Sequence, residues 1–260
     1  MKIYIVTDLE GPAGVNRWIQ TREGENPEKH AAMRLLTREV NAAIDGILDA
    51  EPQAEIVVLD GHGSGGLWFD ELHPSARYIM RGTGGLASFY ATGPSFDGLM
   101  FVGQHAMAGL PQAPLCHTFS SRTVEWYRLN GELIGETGMI AAFFGERGVP
   151  TLFLSGDDFA CREAEAIIPG IVTVATKEGL AVEQALHLSA EEARRQIRRG
   201  TTEAIRKIGA IAPYRVSAPY ELEIRLLPGI DPTPYVAEGR YQLVGEQTVR
   251  RCADRMEDLR

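Results

Sequence analysis

"KIYIVTDLEGPAG", residues 2–14, decides how the chain is read. Ile3, Tyr4, Ile5 and Val6 form a continuous apolar run, the pattern of a strand covered on both faces within a parallel sheet. The run ends in Asp8 and Glu10, one residue apart, followed by a Gly-Pro-Ala-Gly turn. Positions i and i+2 of an extended chain point the same way, so both carboxylates can serve one site. Acids at the edge of a core are costly unless a cation or hydrogen-bond donors compensate them.

Working outward, strand and helix patterns alternate, the signature of crossover units in a parallel sheet. Asn26 and Pro27 read as a helix cap and first turn, and Met33, Leu36, Val40, Ile44 and Ile47 recur at helical spacing. A buried strand follows at Glu55–Asp60, then the glycine-rich loop 61–66, and a third strand spans Leu99–Gly103. The turn Asn130-Gly131 joins Thr123–Leu129 to Glu132–Ile134 as a hairpin. A helix runs from Glu136 to Gly148, a strand covers Thr151–Leu154, and Asp157 or Asp158 caps a helix through Ile168. Beyond lie a strand at Ile171–Ala175, a helix opened by the capping box Ser189–Glu192, a strand at Glu221–Leu227 and a last helix over Gln247–Leu259. The expected fold is α/β, a mostly parallel sheet flanked by helices, with a second, smaller α+β domain. The division is placed at 1–169 for the metal-binding catalytic domain and 170–260 for the smaller one.

The 260 residues carry a formal net charge of -9 and no dense basic run, which argues against a nucleic-acid partner. There is no long apolar segment and no charged leader before Lys2, so a cytoplasmic protein without a membrane partner is expected. Cys116, Cys161 and Cys252 are too scattered for a disulfide framework, and Cys161 and Cys252 read as small helix-face residues. His30 and His187 read as exposed helix-face residues, and His73, before Pro74, as part of a turn.

In an open α/β sheet, ligands gather at the carboxyl ends of the strands. Strand one ends in Asp8 and Glu10, strand two in Asp60 and His62, and strand three in Gln104 and His105, with Cys116-His117 a short loop later. Asp60 reads as a loop cap or as the acceptor behind a ligating imidazole. Histidine and carboxylate without thiolate suit zinc, without excluding Mn, Co or Fe. The donors exceed what one four-coordinate zinc needs, which opens a two-metal site.

These residues sit in motifs that resemble a known family. "TDLEG", "DGHGSG", "LHP", "GQHA", "CHTF", "LNGELIGETG", "LSGDDFACREAEAIIP" and "VATK" occur in the order seen in the D-aminopeptidases of the DppA type, metallopeptidase family M55. The resemblance implies two zinc ions per subunit held by Asp8, Glu10, His62, His105 and Glu136. Asp8 would bridge both ions, Glu10 and His62 would complete one, and His105 and Glu136 the other. Glu136 otherwise reads as an acid favoured in a first helical turn by the helix dipole. His117 matches the family's catalytic position, as nucleophile or as general acid, base or oxyanion partner. The family is also known for self-compartmentalising rings of ten subunits, which implies a homo-oligomer, a decameric ring at the finest level. The loop Gly11–Glu25 and the segment Gly85–Phe96 depart from the family pattern, and loops of this kind set substrate choice.

The expected function is therefore a zinc-dependent aminopeptidase that hydrolyses the N-terminal D-amino acid, D-alanine for instance, from a short peptide through a two-metal-activated water. A binuclear metallophosphoesterase is the alternative enzyme. Such a site expects Asp-x-His and Gly-Asn-His where this chain has Asp8-x-Glu10 and Gly103-Gln104-His105. The alternative of another class is a non-catalytic peptide-binding or regulatory protein.

Overall fold

A computed structural model describes residues 1–22, 24, 26–80, 96–237 and 239–259. In chain order the larger elements are β1 (Lys2–Thr7), α1 (Pro27–Ala50), β2 (Glu55–Asp60), β3 (Ala76–Ile79), β4 (Gly98–Gln104), β5 (Val124–Leu129) and β6 (Glu132–Leu133). They continue with α2 (Glu136–Glu146), β7 (Thr151–Asp157), α3 (Asp158–Ile167), β8 (Val172–Ala181), β9 (Gln184–His187) and α4 (Ala190–Arg206). The last are β10 (Tyr220–Leu226), α5 (Thr233–Val236), β11 (Gln242–Gly245) and β12 (Thr248–Ala253).

The main sheet has the order β3-β2-β1-β4-β7-β8-β9, parallel throughout except for the terminal β8–β9 pair. β4 and β7 are buried along their whole length and β1 from Ile3 onward, which is why these strands are apolar runs and not alternating ones. From β1 the chain builds outward to β2 and β3 on one side and then to β4, β7 and β8 on the other. The order therefore reverses between β1 and β4, and a crevice opens beyond their carboxyl ends. The backbones there meet closely: Asp8 N donates to Val102 O at 3.0 Å and Gly11 N to Gly103 O at 2.7 Å. Gly103 has φ +81°, and a Cβ on it would lie 2.2 Å from Asp8 O, so only glycine fits.

The helix caps follow the sequence. Asn26, Asp157 and Ser189 accept from the backbone N–H groups of Lys29, Ala160 and Glu192 and open α1, α3 and α4. α1 and α4 touch backbone to backbone, with Thr201 and Thr202 hydroxyls donating to Ala43 O and Gly46 O.

The second sheet is antiparallel, ordered β11-β12-β10-β5-β6. β10 alternates buried Tyr220, Leu222, Ile224 and Leu226 with more exposed partners, the period of a sheet with one covered face. The helix expected over Gln247–Leu259 is instead β12 and a short 3-10 turn at Met256–Leu259. Pairing with β10 overrides the local pattern: Val249 is buried opposite Ile224, and Arg250 reaches Glu223 at 2.9 Å. Cys252 is accordingly an exposed strand residue, while Cys161 is buried on α3. His187 likewise lies on β9 and not on a helix.

The boundary expected at residue 169 falls inside the main sheet, because β8 pairs with β7 and β9 with β8. β5 and β6, from the first part of the chain, lie in the other sheet. We propose a division by sheet, in which the chain enters the antiparallel unit at β5, returns at β7 and leaves again after α4. No described helix is long and apolar enough to cross a membrane.

Candidate metal centre and active site

The crevice collects the carboxylates and imidazoles named from the sequence. Asp8 and Glu10 follow β1, His62 follows β2, His105 follows β4, His117 lies between β4 and β5, and Glu136 is the first residue of α2. Asp8, Glu10, His62 and His105 are buried. Asp8 turns its two oxygens to two histidines: Oδ1 lies 2.9 Å from His62 Nδ1 and Oδ2 lies 3.2 Å from His105 Nε2. Glu10 Oε2 is 3.1 Å from the same His62 nitrogen, and Glu136 Oε1 is 3.3 Å from the same His105 nitrogen. His117 stacks on His105 with ring centroids 3.9 Å apart and sets Nε2 3.9 Å from Glu136 Oε1.

Each imidazole is held by its other nitrogen. His62 Nε2 lies 2.7 Å from Thr21 O, His105 Nδ1 2.9 Å from Ala106 O, and His117 Nδ1 2.9 Å from Leu115 O. A carbonyl only accepts, so each of these nitrogens carries the hydrogen, and a neutral ring then aims its lone pair at the carboxylates. Lone pairs facing anions repel unless a proton or a metal cation stands between them. Burial opposes charge on His62 and His105, yet the surrounding carboxylates, Glu10 and Asp8 for one and Glu136 and Asp8 for the other, hold both well above the ordinary histidine range. Burial pushes Asp8 up, but hydrogen bonds with His105 and His62 leave it well below the usual carboxylate range. His117 is moved the opposite way, downward, by burial and by the neighbouring His105. Glu10 Oε2 and His105 Nε2 are buried and face only the imidazole and carboxylate atoms already named, at 3.1 to 3.3 Å, as atoms set around a cation would. Two sets of ligand atoms lie within 4.8 Å of one another, Asp8 with Glu10 and His105, and His105 with His117 and Glu136. Oxygen and imidazole donors without thiolate fit zinc.

Behind the cluster stand groups that hold its loops, most of which the sequence did not tie to the site. Asp157 accepts from Ala106 N at 3.1 Å, Glu163 from Met107 N at 3.0 Å and Thr118 Oγ1 from Ala108 N at 3.2 Å, fixing the loop after His105. Lys177, fully buried on β8, donates to the carbonyls of Glu10, Pro12 and Val15 and fixes the loop after Glu10. Asp60 accepts from Gly66 N at 2.9 Å, so it caps the glycine-rich loop and is not the acceptor behind His62. Leu115 and Phe119, on either side of His117, hold φ of 55° and 59°, a left-handed backbone that surrounding packing must impose on such side chains. Of the segments expected to set substrate choice, Gly11–Arg22 is described, whereas residues 23, 25 and 85–95 lie outside the described residues.

A doubly wound sheet with buried carboxylates and imidazoles at its switch point defines a hydrolase of the metal-dependent class. The chain belongs to the M55 peptidases, whose D-aminopeptidase model matches residues 1–259. It is similar to the D-aminopeptidase of Bacillus subtilis (strain 168), at 28% identity over 214 residues, which cover 82% of this chain and 77% of that one. Its fold superimposes on the Zn-dependent D-aminopeptidase DppA from Bacillus subtilis, a self-compartmentalizing protease, with a TM-score of 0.91 and 25% identity, covering 100% of this chain and 94% of the other. The phosphoesterase and non-catalytic readings give way to this membership.

Proposed function

We propose that this peptidase is a zinc-dependent aminopeptidase that removes the N-terminal D-amino acid, such as D-alanine, from short peptides. The observation that carries the reading is the set of imidazoles tethered to carbonyls on one side and aimed at buried carboxylates on the other. In this assignment Asp8, Glu10, His62, His105 and Glu136 would hold two zinc ions, with Asp8 facing both histidines. Zinc bound there supplies Lewis acidity, polarising a peptide carbonyl and acidifying water.

The chain's own residues supply the rest. The carboxylate excess of the crevice attracts the free ammonium that distinguishes an aminopeptidase substrate. His117 is the proton carrier: its Nδ1–H is committed to Leu115 O, so Nε2 accepts a proton from water and returns it to the leaving amine. Phe119 N donates to Glu136 Oε1 at 2.7 Å and orients that carboxylate, leaving His117 beside it.

The kinship with a self-compartmentalizing protease supports a homo-oligomer; the ring of ten subunits and the cytoplasmic location are proposed from the family resemblance of the motifs and from the absence of a long apolar segment in the sequence. The test is release of D-alanine from D-Ala di- and tripeptides by zinc-reconstituted protein, against L-Ala peptides and p-nitrophenyl phosphate. Phosphate release without D-alanine release refutes the assignment.

A further inference from the structure

Beside the centre lies a cation that the metal chemistry does not use. Residues 18–22 form a tight turn in which Thr21 N and Arg22 N both donate to Trp18 O, at 3.1 and 2.9 Å. The turn is anchored at both ends. Thr21 O lies 2.7 Å from His62 Nε2 and accepts from Ser64 Oγ, while Trp18 N donates to Glu183 Oε1 at 2.8 Å. The Trp18 indole meets the His117 ring edge-on at 5.8 Å, and the Arg22 guanidinium lies over the indole at 4.3 Å. Arg22 Nε is buried without a hydrogen-bond partner, and among the described residues no carboxylate lies within ion-pairing distance of it. Its neighbour Arg17, by contrast, is paired with Glu28. In a chain of net charge -9, an arginine held against an aromatic face next to the catalytic histidine and left unpaired is conspicuous.

We propose that Arg22, carried on Trp18, binds the terminal carboxylate of the peptide substrate and makes the enzyme selective for short peptides with a free C-terminus. The proposal rests on the aminopeptidase reading and names the substrate class for it. A guanidinium is the donor best matched to a carboxylate, by two parallel hydrogen bonds. The acids of the crevice then receive the ammonium, and Arg22, stacked on the indole that meets His117, receives the carboxylate. One residue spans about 3.5 Å, so with the scissile bond beside His117, whose ring is 5.8 Å from the Trp18 indole, the two residues beyond the scissile bond of a tripeptide carry its terminus to Trp18 and within reach of Arg22, that of a dipeptide stops short, and that of a long peptide overshoots. Trp18 keeps the guanidinium extended when no substrate is present.

The experiment compares D-Ala-D-Ala-D-Ala with D-Ala-D-Ala-D-Ala-amide, using zinc-loaded wild type, Arg22→Gln and Arg22→Lys. Wild type is expected to prefer the free acid by roughly 10- to 100-fold in kcat/KM, mostly through KM, as a charge-assisted contact implies. Arg22→Gln should collapse that ratio to near one, and Arg22→Lys should restore part of it. The wild-type ratio needs no variant to fold, and the ratio within each variant cancels a uniform loss of active protein. Equal use of acid and amide by wild type, or an unchanged ratio in Arg22→Gln, overturns the role of Arg22 alone. Cleavage of neither substrate overturns the aminopeptidase reading, and the role of Arg22 with it.

Discussion

Lys177→Met tests whether one buried ammonium holds the loop that carries Glu10. Lys177 is 1% exposed, and its ammonium, which has three hydrogens, meets three carbonyls: Glu10 O, Pro12 O at 3.2 Å and Val15 O at 2.5 Å. Burial pushes its pKa down to about 8 while Asp157, Glu39 and Glu10 pull it up, so the cation persists at pH 7. Methionine fills nearly the same volume and donates nothing, so the cavity contribution is small. What remains is the cost of stranding buried carbonyls and nearby carboxylates without their cation, about 3–5 kcal/mol. For a chain of this size that corresponds to a Tm lower by roughly 10 °C. Thermal melts followed by circular dichroism measure the drop, and hydrogen exchange shows where it is felt. Thr176 Oγ1 still donates to Gly11 O at 2.7 Å, so faster exchange is expected over residues 13–15 and not throughout β1. A Tm within about 3 °C of wild type, with unchanged protection in that loop, would refute the reasoning.

Other outcomes separate holding metal from moving protons. Glu136→Gln should reduce bound zinc from about two ions per chain towards one, with activity falling in parallel, as elemental analysis of the dialysed protein reads directly. His117→Ala should keep its zinc and lose about 10²- to 10⁴-fold in kcat; loss of metal in this variant contradicts the assignment. Glu39 is buried on α1, accepts from Ala13 N at 2.9 Å, and is raised by burial to a pKa of about 8 from an ordinary 4.5. The unfolded chain releases this proton above pH 4.5 and the folded chain holds it to about 8, so stability falls as pH rises through that window. Glu39→Gln should therefore gain on wild type by roughly 1 kcal/mol or more per pH unit between pH 5 and 7.5 in urea titrations; a pH-independent difference argues against the shift.

The strand ends were legible because parallel strands are long apolar runs, and any acid or histidine that closes one stands out against them. Asp8, Glu10, His62 and His105 are all of this kind. The helix caps at Asn26 and Ser189 were legible for a related reason, since the signal is local and its partner lies three residues away. Glu136 was reached only through the family resemblance, because by itself an acid in a first helical turn is ordinary until the fold brings His105 against it. Lys177 closes the "VATK" motif two residues beyond the strand expected at Ile171–Ala175, and only the loop folded over it turns its charge into a clamp. β12 was misread because its strand character comes from β10, some 25 residues earlier, and not from its own propensity. His187 is a similar case: its ring nitrogen accepts from Gly14 N at 3.0 Å across the loop, a partner no local pattern announces.

The second sheet explains why the chain leaves the main one between β4 and β7. β5 and β6 lie in the antiparallel unit, and the chain emerging from β6 turns at once into α2, whose first residue is Glu136. On the way there, Phe119 packs against Tyr127 of β5 at 5.2 Å and donates its N–H to Glu136. Phe119 and Glu136 are thus approached from the antiparallel unit, while His117, whose N–H donates to Ala106 O at 3.3 Å and whose ring stacks on His105, is held with Asp8, Glu10, His62 and His105 on the side of the parallel one. The stacking of His117 on His105 fixes the separation between the groups proposed to bind metal and the group proposed to move protons. The glycine at 103, where Asp8 O leaves no room for a side chain, keeps β1 and β4 close enough for one carboxylate to face both histidines. Specificity can then vary in the loop after β1, which carries Trp18 and Arg22, without disturbing either sheet.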